Sequence, residues 1–117
     1  GMGSNVQTTK TVAVTASQSG DKITVTYHGG GDADTLNFLK TTVLDKTDDT
    51  HTKYCYAATD ATKFTVAANT ATLNKNEKVP VGATIVFDNV GTTGRDHVLV
   101  VGYFMDGSEH VVLDTHV

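Results

Sequence analysis

Apolar side chains recur at every second position along most of the chain, the period of a strand that buries one face. Thr11 to Ala16 puts Val12, Val14 and Ala16 on one side, and Lys22 to Tyr27 does the same with Ile23, Val25 and Tyr27. Ser19-Gly20-Asp21 between them has turn chemistry, so the two runs predict an antiparallel hairpin. Leu36 to Leu44 predicts a longer strand with room for a bulge, with Leu39, Thr41 and Val43 opposed to Phe38, Lys40, Thr42 and Leu44. Lys53 to Ala57 and Lys63 to Ala67 are weaker strand patterns, separated by Ala58 to Thr62 as a turn or single helical turn. Thr84 to Asp88 turns Ile85 and Phe87 inward behind Pro80, whose missing N–H confines it to a strand entrance or a sheet edge. His97 to Met105 is apolar on both faces, as a central strand is. After the Asp106-Gly107-Ser108 turn, Glu109 to Val117 alternates so that Val111, Leu113 and Val117 share a face opposite His110, Asp114 and His116.

Seven or eight short strands, separated by loops rich in Gly, Asp and Asn and without an amphipathic helix, predict an all-β fold: an immunoglobulin-like antiparallel β-sandwich. Residues 1–10 carry no pattern and read as a flexible linker, leaving 11–117 as a single sandwich domain. Composition agrees: 21 Thr, 16 Val and 2 Ile make β-branched residues a third of the chain, and such side chains fit a pleated surface better than a helix. The net charge of −4, with no cluster of Lys or Arg, argues against nucleic acid as a partner, because phosphate neutralisation needs a concentrated positive face. No run approaches the ~18 apolar residues of a membrane span. The single cysteine, Cys55, leaves no partner for a disulfide within the chain and reads as a buried structural thiol.

The chemistry-bearing residues form no convincing constellation. Five histidines include no closely spaced pair, and His110 and His116, on one predicted face, stand about 20 Å apart along the strand. Asp114 and His116, two positions apart, form a candidate metal pair that lacks further ligands. Asp32 and Asp34, beside His28 in a glycine loop, are candidates for a hard cation such as calcium if Asp48 and Asp49 join them from a second loop, since calcium needs six to eight oxygens. No nucleophile elbow surrounds any serine, and no glycine run is followed by the Lys-Ser/Thr of a phosphate loop, so no catalytic residue and no cofactor is assigned. Tyr54 and Tyr56 alternate on one strand and are expected in the core with their hydroxyls at its rim.

Four phrases in order, Thr11 to Ala16, Tyr27 to Asp34, Gly94 to Val101 and Asp106 to Val117, resemble the extracellular part of archaeal type IV pilin-like proteins. They run in order from the first strand to the last. The resemblance implies a membrane-anchoring N-terminal helix ahead of this segment, display at the cell surface, neighbouring subunits as partners, and a structural or adhesive role without catalysis. The sequence departs from that pattern at Lys46 to Lys78, where a shorter connection is expected. The alternative is a secreted or surface binding module in which Gly29 to Asp34, Asp45 to Thr52 and Asn89 to Asp96 together grip a protein, a sugar or a divalent cation.

Overall fold

The structure, a computed structural model, describes residues 10–58, 63–68, 78–93 and 95–117. Eight strands follow in order: β1 (Ala13–Ser19), β2 (Lys22–Gly29), β3 (Leu36–Leu44), β4 (Thr50–Ala57), β5 (Phe64–Ala67), β6 (Thr84–Phe87), β7 (His97–Phe104) and β8 (Glu109–His116). They form two antiparallel sheets, a three-stranded one ordered β1-β2-β6 and a five-stranded one ordered β5-β4-β3-β7-β8. The five-stranded order is that of the larger sheet of a variable-type immunoglobulin sandwich, in which two added strands extend one sheet beside its central three, whereas among the described residues the smaller sheet has three strands where that fold has four. The Lys46 to Lys78 stretch that departs from the pilin pattern supplies those added strands, β4 and β5. Part of the proposed turn, 59–62, and the connector at 74–78 except Lys78 lie outside the described residues, as do 1–9 of the proposed linker.

The hairpin arises as its alternation predicts. Ser19 pairs with Lys22, and Gly20, at φ 61°, takes the left-handed conformation that a two-residue loop requires. At the other end of β2, a side chain on Gly30 would meet backbone, because its Cβ position lies 2.9 Å from Val12 Cα and 3.0 Å from Thr11 O. The glycine there lets the lead-in to β1 cross directly over the β2–β3 connection.

The inward residues of both sheets close one core: Val14, Ile23, Val25, Tyr27, Ile85 and Phe87 from the smaller sheet against Leu36, Leu39, Val43, Cys55, Val98 and Val100 from the larger. Ile23 and Val25 from β2 and Val98 and Val100 from β7 join the two sheets through branched side chains, and Cys55 is free and buried among them. Lys53 crosses from β4 to the other sheet, donating from Nζ to Val86 O at 2.6 Å and lying 5.2 Å from the centre of the Phe87 ring.

Two face assignments need correction. The alternation of the last strand breaks at a bulge, where Val100 pairs with Leu113 but Val101 pairs with Val111. Val112 and Leu113 therefore both lean on the core, and the faces exchange at that point. Val111 is 57% exposed rather than inward, and His110 turns in to meet Phe104 edge-on at 5.7 Å, opposite in sense to His116. Tyr54 and Tyr56 are not core residues either: Cys55 between them is fully buried, so the strand's pleat sends both tyrosines to the outer face.

Candidate functional site

Strand direction decides which loops can cooperate. The β1–β2 turn, the loop at 45–49 and the loop at 88–96 lie at one end of the sandwich, whereas Gly29 to Asp34 leaves β2 at the other. An eight-residue strand separates those ends by ~25 Å. Asp32 and Asp34 therefore cannot share a cation with Asp48 and Asp49, and the three loops do not converge on one ligand.

Both carboxylates of the glycine loop also have local work. Asp32 accepts the Thr11 N–H on its side chain and donates its own N–H to Thr11 O at 3.0 Å, fastening the approach to β1. Asp34 pairs with Lys78 Nζ at 2.9 Å in solvent. In the loop at the far end, Asp45 accepts from the Thr47 hydroxyl (2.7 Å) and N–H (2.9 Å) and from the Asp49 N–H (3.1 Å), and it lies 2.9 Å from His51 Nε2. Hydrogen bonds from the Thr47 hydroxyl and then from His51 hold this carboxyl well below the usual carboxylate range. Asp96, fully buried, similarly binds the Thr92 N–H at 2.8 Å and the Thr92 hydroxyl at 2.6 Å, shaping the loop ahead of β7. Cys55 is sealed in the core, and burial pushes its thiol up to about 12.

The most distinctive surface is the outer face of the five-stranded sheet. The registers set it out in four rows. The first runs Glu109, Tyr103, Phe38, Tyr56 and Thr65; the second, Val111, Val101, Lys40, Tyr54 and Ala67. Asp114, Leu99, Thr42 and Thr52 form the third, and His116, His97, Leu44 and Thr50 the fourth. Phe38 and Tyr103 stack with centroids 4.3 Å apart, Tyr54 tilts toward Phe38 at 6.2 Å, and the Lys40 ammonium lies 5.9 Å from the centre of the Tyr54 ring. Among the described residues no third layer covers this face.

The other outer face differs in kind. Across β1, β2 and β6 its rows read Thr15, Thr26, Thr84 and Ser17, Thr24, Val86, mostly short hydroxyl side chains. His28 lies on this sheet, 2.7 Å from the Thr15 hydroxyl.

Of the candidate metal pair, Asp114 and His116 do share a face, and the structure adds His97. Asp114 Oδ1 lies 2.5 Å from His97 Nε2, and the His97 and His116 rings stack with centroids 4.7 Å apart. Sequence reading missed His97 because cross-strand register is not a local property, although its place at the start of the strand that pairs with β8 was a usable signal. Among the described residues no group of three or more His, Cys, Asp or Glu side chains is arranged so that it could hold a metal ion. No family model matches this chain, and no curated protein or solved structure matches it either.

Proposed function

We propose that this chain is a non-catalytic domain that works by packing against other proteins, as the displayed part of a pilin-like subunit in a cell-surface filament or envelope layer. Adhesion is a further use of such a display. The observation that carries the reading is the inequality of the two outer faces. One carries mostly threonine and serine, with Val86 and His28 among them; the other presents a stacked aromatic row next to Val101 and Val111, and only Glu109 and Lys40 bring charge to these two rows. Aromatic enrichment with few charges marks the centre of protein–protein interfaces. Neighbouring subunits are the partners this reading calls for, and an apolar helix encoded ahead of residue 1 is the anchor.

The test is made in the native host. Val101→Glu sets a charge in the middle of the second row on the solvent side of the sheet, so the isolated domain is expected to fold. The expected outcome is loss of the protein from sheared surface material with its cellular level unchanged. Normal surface assembly, or a native gene without an apolar segment of about 20 residues upstream, would reject the pilin-like reading.

A further inference from the structure

The corner of the open face where β7 starts and β8 ends brings together three metal-binding side chains from two strands. His97 and His116 are directly opposed in the antiparallel register, and Asp114 is opposed to Leu99 one row away. Directly opposed residues hold their Cβ atoms about 4.5–5.5 Å apart, a span that two imidazoles can close upon a single ion. Here the rings lie 4.7 Å apart at an interplanar angle of 14°, and the Asp114 carboxylate already touches His97 Nε2. In this arrangement flat stacking keeps the donor atoms from converging, so the His116 ring must leave the stack before the three can meet at one ion. Nothing described packs over the corner: the side chains of His97 and Asp114 are 34% and 59% exposed, and His116 is exposed as well.

We propose that His97, His116 and Asp114 form a three-ligand site for a zinc-class divalent cation at this corner of the five-stranded sheet. His116 swings off the stack, and His97 binds through Nε2 once its proton resides on Nδ1, with Asp114 as the oxygen ligand. Two imidazoles and one carboxylate suit zinc, whereas calcium and magnesium call for shells made mainly of oxygen. Three protein ligands leave the fourth tetrahedral position to water or to a donor from another molecule. The remaining histidines are placed elsewhere: His28 against Thr15, His51 against Asp45 and His110 against Phe104. The site goes beyond the packing face and does not rest on it, since zinc would bind the isolated chain.

The experiment is isothermal titration of zinc chloride, and separately of magnesium chloride, into the tag-free chain near neutral pH. Ring-nitrogen NMR signals are followed in parallel, and circular dichroism is recorded for every variant. A single zinc is expected per chain, with the signals of His97 and His116 moving together and those of His51 and His110 still. His97→Ala, at a half-buried position, and His116→Ala, at an exposed one, are each expected to weaken zinc binding by roughly ten-fold or more, and magnesium is expected not to bind. Absence of zinc binding, affinity unchanged in both variants, or shifts confined to other histidines would each overturn the proposal. The signals of the unaltered chain decide the matter even if a variant misfolds.

Discussion

Tyr27→Phe should raise the stability of this domain, the reverse of the usual result of deleting a phenol hydroxyl. Tyr27 is 1% exposed, its ring is part of the core, and its hydroxyl is buried without a hydrogen-bond partner among the described residues. An unsatisfied buried polar group costs about 1–3 kcal/mol, because the water it gave up is not replaced. Removing one oxygen leaves a void smaller than a methyl group, which costs less than ~1 kcal/mol. The net expectation is a gain of about 1 kcal/mol, read as a rise of roughly 4 °C in Tm for a domain of this size, with a higher urea midpoint at unchanged slope. Burial, and then the charge of Asp34, push the phenol up to about 12. The neutral form is thus favoured in the folded state, and its contribution is full below the unfolded value near 10 and lost as pH rises toward about 12. The Phe variant should lack that alkaline loss. Tyr103→Phe on the open face serves as the control and should stay within about 0.5 kcal/mol of the parent. A fall in Tm for Tyr27→Phe would refute the reasoning, showing that the hydroxyl has a partner in solution such as a trapped water.

Gly30→Ala should cost about 1–3 kcal/mol in urea unfolding, because φ is 144° and the new methyl would meet the Val12 and Thr11 backbone; Gly31→Ala, with open space, should cost little, and equal midpoints would contradict this account. Asp45→Asn should lower stability at neutral pH and flatten its acid dependence. The native carboxylate is held below its unfolded value, so its contribution is present above pH ~4 and lost as pH falls, and parallel pH curves would count against that role. Cys55 should resist a thiol reagent in the native chain and react on denaturation, since it is fully buried and pushed up to about 12; fast native labelling would show that the core opens at β4.

Local pattern carried the sandwich. Alternation grouped Val12 with Val14, Ile23 with Val25 and Leu39 with Val43 on shared faces and turned Ile85 and Phe87 inward, and each of these is buried. That legibility follows from the two-residue period, which depends only on neighbours along the chain. What it could not show was the exchange of faces at Val112, because a bulge is a mismatch between two strands and appears in neither alone. Nor could it tell that Tyr54 and Tyr56 face outward, since alternation separates two faces without saying which is covered until Cys55 is seen to meet the other sheet. The acidic loops looked poolable until strand direction set them at opposite ends, and His97 joined Asp114 and His116 only through register. The sequence by itself thus determined where strands form and which residues share a face over short runs. Tertiary structure alone decided which face met the core and which distant side chains met each other, because both depend on pairing between segments far apart in the chain.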